Sequence, residues 1–367
     1  MKNAGESTIE SNGLEDVVAA TTRLSDVDGE RGRLVIAGIA VEELAGRATF
    51  EDVVHLLFHG RLPSPAERRV IAEALGESRA AAFERLGDLG DALALPDAMD
   101  ALRAGISHLS ETDPLRVIGA VAVLAAAWAG QPSPVRPDPK LAHAADYLRM
   151  ATGRAPSAAE VAGLDAYLVT VVDHGMNAST FAARVVASTA SDLVSSVVAA
   201  IGALKGKLHG GAPGPVLDML DAVGEPGHAA ETIADTLARG ERIMGMGHRV
   251  YRVRDPRAFV LERAVAELER GGGEGAGNGA AAKRLALARA VEREAKRQLA
   301  ARHPDRALEA NVEFYTAVLL EAVGLPRTLF TPTFATSRVA GWCAHVEEQR
   351  KHGRLIRPKS RYVAAAP

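Results

Sequence analysis

The chain has 367 residues, 47% hydrophobic and 24% charged, which is ordinary globular usage and excludes wholesale disorder; its length exceeds one compact domain and points to two. A net charge of −3 gives no overall pull towards nucleic acid or an anionic membrane, so any anionic ligand must be caught by local clusters. The single cysteine, Cys343, excludes an internal disulfide and reads as a small buried thiol, and the opening MKNAGESTIESNG lacks the apolar stretch of a secretory signal, so a cytoplasmic protein is expected.

Strand signals are sparse, and the best comes first. Within Thr22 to Gly38, Asp28-Gly29 turns a short hairpin between TRLSDV and RLVIAG. Asp26-Val27-Asp28-Gly29 also opens like a calcium loop, but the later ligands are missing. Ser64-Pro65-Ala66-Glu67 is a capping box with proline at the first helical position, and Gly76 is read as that helix's stop. Val117 to Ala129 is apolar but too short to span a bilayer, so it reads as a buried helix, and no membrane segment is expected. Ser157 with Glu160 repeats the capping device, and Val161, Leu164, Leu168, Val171 and Val172 then share a face of a helix ending near Asp173-His174. Thr180 to Ile201, rich in Ala, Val and Ser, is expected to form one helix packed on several sides. Gly271 to Ala282 reads as a surface loop; no strand precedes it and GxGxxG spacing is absent, so it is no nucleotide cradle. The fold class is therefore all-α with a small N-terminal hairpin.

Eleven histidines are present, and most read as structural or surface groups. Three sit where apolar helices meet polar or glycine-rich segments: His174 in DHGMNASTFAAR, His209 in KLHGGA and His248 in MGMGHRVYRVRDPR. None has the short spacing to another ligand that zinc sites use, so no metal is expected. No GxSxG elbow marks a serine hydrolase. Proton transfer beside anion recognition remains, with Glu313 in NVEFY as the carboxylate base and arginines in the same segments.

KLHGGA, MGMGHRVYRVRDPR, NVEFY, FATSRVAGW and LIRPKS stand in the order and approximate spacing of citrate synthases, and DVDGERGRL and DHGMNASTFAAR are also similar to that family. The chain resembles it from about Gly13 to Tyr362. The resemblance implies a large helical domain, residues 1–215 with 326–367 returning to it, and a small helical domain, 216–325. It implies condensation of acetyl-CoA with oxaloacetate and hydrolysis of the citryl thioester, an acyltransferase reaction of the tricarboxylic acid cycle that needs no metal or redox cofactor. His209 corresponds to the histidine that starts a helix and donates to the thioester oxygen, His248 to the one that polarises the keto carbonyl, and Glu313 to the base. Arg257, Arg338 and Arg357 would hold the oxaloacetate carboxylates with His174, Arg252 would lie near the CoA phosphates, and Arg357 would reach across a homodimer. Aspartate is the commoner residue at position 313, and Met246 and Pro213 also depart from the usual pattern near the CoA site. Propionyl-CoA, the substrate of 2-methylcitrate synthase, is the nearest alternative, and a non-catalytic CoA-binding relative is a more distant one.

Overall fold

The computed structural model describes residues 14 and 17–364 apart from 212, 249, 272–275, 305, 307, 361 and 363, so the opening segment 1–13 lies outside the described residues. β1 (Ser25–Asp28) and β2 (Arg33–Ile36) form the expected hairpin, pairing Ser25 with Ile36 and Asp28 with Arg33. A third strand, β3 (Ile39–Ala40), pairs back on β2 and was not foreseen; two residues are too few to show an alternating pattern.

Fifteen α-helices and four short 3-10 helices make up the rest of the regular structure among the described residues. α1 (Val41–Leu44) and α2 (Phe50–His59) lead to α3 (Pro65–Glu84), which Ser64 caps as its capping box requires. Gly76 does not end α3. The helix runs eight residues beyond it, and a Cβ at Gly76 would sit 2.1 Å from the Pro139 carbonyl oxygen. The glycine answers a close approach of backbone, not a stop signal.

α4 (Ala98–Ser107) precedes α5 (Pro114–Ala129), which holds the expected apolar run and is buried from Val117 to Ala127. Its alanines and Gly119 let α3, α4, α6 (His143–Thr152) and α15 (Phe330–His352) pack close around it. α7 (Ala158–Val171) starts at the Ser157 capping box and stops just before Asp173-His174, as expected. The anticipated single helix over 180–201 is two, α8 (Ala178–Ala187) and α9 (Leu193–Leu204). Ser188 to Asp192 breaks it: Ala190 takes a left-handed φ of 65°, and the Asp192 carboxylate caps the new helix at Ser195 N (2.8 Å). α8 and α9 pack on each other and on α15.

α10 (Pro213–Val223), α11 (Ala229–Ala238), α12 (Pro256–Gly271), α13 (Ala276–Arg302) and α14 (Val312–Ala322) pack among themselves, and α12 and α14 also touch α7. α13 overturns part of the expected loop 271–282, because helix begins at Ala276. The Ala, Lys, Arg and Leu residues that follow are strong helix formers and extend the helix backwards into the glycine-rich stretch.

Candidate active site

Two segments are strapped together at the centre of the site. Gly247 N donates to the Glu309 carbonyl (2.7 Å), Asn311 N to that of Gly245 (2.9 Å), and Asn311 Nδ2 to that of Gly247 (2.9 Å). His248 directly follows the first segment. Asn311 also caps α14, accepting from Glu313 N at 3.1 Å, so the strap fixes where Glu313 begins.

The His248 ring is oriented by backbone. Its Nδ1 accepts from Val250 N (2.9 Å) and Tyr251 N (3.1 Å), which places the proton of the neutral ring on Nε2. Burial, reinforced by the Arg257 charge, holds its pKa down at about 4 although Asp255 opposes them, so the ring is neutral at pH 7. Nε2 faces Arg257 Nη2 at 3.3 Å. Both atoms are donors, so together they form a binding point for an acceptor oxygen. Asp255 fixes the guanidinium by two bonds, Nε to Oδ1 (3.0 Å) and Nη2 to Oδ2 (2.8 Å), and also accepts from Val312 N at the start of α14 (3.3 Å). Burial works against the Arg257 charge, but the Asp255 carboxylate outweighs it and drives the pKa up.

Arg338 comes from α15 and is buried, its Nε donating to the Val171 carbonyl at 2.7 Å and its guanidinium 4.7 Å over the Phe334 ring. Nη1 is buried without a partner. Burial lowers its pKa to about 10, with Arg257 adding repulsion and Asp173 pulling the other way. His174 bonds Tyr251 OH through Nε2 (3.0 Å), and its ring lies 6.0 Å from that of His248. Burial, then Arg257 and Arg338, keep it uncharged well below its ordinary pKa.

His209 departs from expectation in one respect: it lies in a turn, and α10 starts four residues later at Pro213. Its neutrality therefore stems from burial and the Arg338 charge, which hold the pKa at about 4, and not from a helix N-terminus. Nε2 meets Ser179 Oγ at 2.8 Å. That hydroxyl accepts from Trp342 Nε1 (3.1 Å), and its one proton goes either to His209 or to Asn177 Oδ1, which already receives Thr180 N. Donation to His209 leaves Nδ1–H as the donor into the site. Burial raises the pKa of Glu313, while Arg257 and Arg338 temper the rise.

The structure thus brings His174, His248, Arg257 and Arg338 together, with His209 and Glu313 alongside in the same electrostatic field. Two residues stay apart. Arg252 is exposed and lies 3.8 Å from Glu30, and Arg357, on the tail after α15, lines a separate cavity of about 870 Å³ with Arg23 and His59. Ser179, Tyr251 and Asp255 were missed. Short polar residues at the start of a helix look like caps; the only signal was a NAST run with more polar groups than capping Asn177 requires.

Two buried guanidiniums, three uncharged imidazoles and a carboxylate of raised pKa equip an enzyme to bind a dianionic carbonyl compound, polarise it and remove a carbon-bound proton. The model of the family described as citrate synthase, C-terminal domain, matches residues 13–359. The chain belongs to the citrate synthase family, a class of acyltransferases. It is 39% identical to citrate synthase of Haloferax volcanii over 96% of this chain and 95% of that one, and 37% identical to 2-methylcitrate synthase of Mycobacterium tuberculosis over 95% and 89%. A solved ternary complex of carboxymethyl coenzyme A and oxaloacetate with citrate synthase from Thermoplasma acidophilum superposes with a TM-score of 0.84 at 29% identity, covering 97% of each chain.

Proposed function

We propose that the protein condenses acetyl-CoA with oxaloacetate and hydrolyses the citryl thioester to citrate and CoA. The observation that carries this reading is the convergence of His248 Nε2 and Arg257 Nη2, two donors 3.3 Å apart, beside the unpartnered Nη1 of Arg338. A keto oxygen and carboxylates supply the acceptors these groups need. His248 polarises the keto carbon and protonates the alkoxide as it forms. Glu313 takes a proton from the acyl methyl group, and His209, with Ser179 on its far nitrogen, donates Nδ1–H to the thioester oxygen of the enol. The enol carbon attacks the ketone, and water then cleaves the thioester. These residues accomplish the steps by proton transfer and hydrogen bonding, without a metal or redox cofactor.

The sequence supports a large domain of residues 1–215 with 326–367, a small one of 216–325, and a cytoplasmic location. In a homodimer, Arg357 would complete the partner's oxaloacetate site and Arg252 would meet CoA phosphates. Removing residues 354–367 should then abolish activity, and mixing with a full-length His248→Gln chain should restore part of it; full activity in the truncated chain alone refutes sharing.

Propionyl-CoA is the second reading, prompted by the 2-methylcitrate synthase relative. One methyl group is worth only about 1–3 kcal/mol of discrimination. Thiol release with oxaloacetate and each acyl-CoA decides: a higher kcat/KM for acetyl-CoA is expected, the reverse gives the second reading, and no release from folded protein with either refutes both.

A further inference from the structure

We propose that the turn of the β1–β2 hairpin, through Gly29 and Gly32, positions His248 for catalysis. The proposal rests on the reading of His248 as the group that polarises the keto carbon.

The turn and the loop after His248 are in backbone contact. Arg252 N donates to the Gly29 carbonyl at 2.9 Å. A Cβ on Gly29 would lie 2.2 Å from the Val250 carbonyl oxygen and 2.8 Å from its carbon, both main-chain atoms that cannot rotate away. Gly32 has φ of 63°, and a Cβ there would fall 2.5 Å from Val253 Cγ2 and 3.3 Å from the Arg254 oxygen. Only residues without side chains fit at both points of the contact.

The stretch so gripped is the one that holds the imidazole. Val250 N and Tyr251 N are the two donors on His248 Nδ1, and they fix which ring nitrogen carries the proton. Gly29 therefore presses on the carbonyl of the same residue whose amide binds the ring, and its own carbonyl pins the amide of Arg252, next after Tyr251. Displacing the loop turns both amides away from Nδ1. The ring can then carry its proton on either nitrogen, and the Nε2–H that faces the substrate is no longer assured. Neither glycine touches the reacting atoms, so both are positioning residues. The Arg31 side chain stands outside this device: it is 82% exposed and pairs with Asp28 at 3.5 Å.

The test uses the full chain and compares Gly29→Ala, Gly32→Ala, Gly32→Ala with Val253→Ala, Arg31→Ala, and His248→Gln as reference. Gly29→Ala is expected to lower kcat about a hundredfold, as an ångström of misplacement does, while KM for oxaloacetate stays within a few fold. In protein carrying 15N-histidine, the His248 signals, identified by their loss in His248→Gln, should report bare Nδ1 and protonated Nε2 in the parent and a mixture or imidazolium in Gly29→Ala. The acid limb of kcat/KM should move to higher pH. The charged and titratable groups facing the ring, Arg257, Asp255, Tyr251 and His174, are the same in the variant, so the shift traces to the lost amides. Gly32→Ala should act in the same direction, and Val253→Ala in that chain should restore part of the rate by removing the methyl it strikes, while the positive φ and the Arg254 oxygen at 3.3 Å remain. Arg31→Ala should match the parent.

Parent-like turnover by Gly29→Ala, or a lost rate with the His248 tautomer unchanged, overturns the proposal. If Gly29→Ala does not fold, the Gly32 pair decides: a rate above that of Gly32→Ala alone supports the device, and no gain overturns it. Full activity of His248→Gln would instead overturn the reading of His248, and the proposal with it.

Discussion

Replacing Arg338 by Met separates substrate binding from fold support, because the two roles predict opposite shifts in stability. The guanidinium is buried, with Nε on the Val171 carbonyl and Nη1 unpartnered, and its pKa is depressed to about 10. A cation whose folded pKa lies below its unfolded one costs stability at every pH below the folded value, so at pH 7 the cost is fully present. The depression corresponds to a penalty on the order of 3 kcal/mol. Met keeps the apolar stem against Phe334, removes that penalty, and forfeits one hydrogen bond from a charged donor to a carbonyl, about 1.5–3 kcal/mol. The apo protein should therefore melt no lower than the parent and up to a few degrees higher. Oxaloacetate behaves oppositely. Losing a charge-assisted pair to a carboxylate costs about 3 kcal/mol, which is more than a hundredfold in Kd. Calorimetric titration with oxaloacetate and thermal unfolding of the same preparation measure both. Intact affinity with a melting point several degrees lower would refute the reasoning and make Arg338 a brace between α15 and α7.

Glu313→Gln should lower condensation by roughly a hundredfold or more with oxaloacetate binding retained and no loss of thermal stability, since a carboxyl with raised pKa destabilises the fold once ionised; parent-rate turnover would dismiss Glu313 as base. In the parent, activity needs the carboxylate, so kcat/KM should fall as pH drops through a pKa above the ordinary glutamate range, a limb absent from the Gln variant's residual rate. Ser179→Ala should reduce kcat about tenfold and leave the buried Trp342 Nε1 unpaired at a cost of about 1–3 kcal/mol in denaturant unfolding; unchanged kcat would remove Ser179 from the site. Gly76→Ala should destabilise by about 1–3 kcal/mol or more, because the new methyl meets the Pro139 backbone, and a neutral result would return Gly76 to the status of a tolerated helix residue.

What the sequence disclosed depended on the range of the interaction. Ser64 and Ser157 announced α3 and α7 because capping is settled within four residues. Gly76 misled because the partner that demands a glycine, Pro139, is 63 positions away. The break between α8 and α9 was written in Asp192, a cap hidden inside an otherwise apolar and small-residue run. In the site, histidines and arginines stood out by motif, whereas Asp255 and Ser179 act through other side chains and resemble ordinary caps or ion-pair partners. Arg357 shows the limit from the other side: its motif was evident, yet one chain alone leaves it far from the cluster.

The loop bearing His174 also carries a memory of the whole polypeptide. Asp173 accepts Ser25 Oγ at 2.5 Å, 148 residues back, and His345 Nε2 at 3.1 Å, 172 residues ahead; Ser25 Oγ in turn receives Gly175 N. His345 is held by Arg184, whose other contacts are Glu348 and Gln349. The loop cannot take this geometry until both ends of the chain have arrived, so it is closed by contacts of very long range, the kind that form late in folding. An unfinished chain still on the ribosome, lacking α15, would leave Asp173 without its imidazole, and the histidine next to it would not be set for substrate. The substrate-facing loop is thereby tied to the packing of α15, the last helix among the described residues.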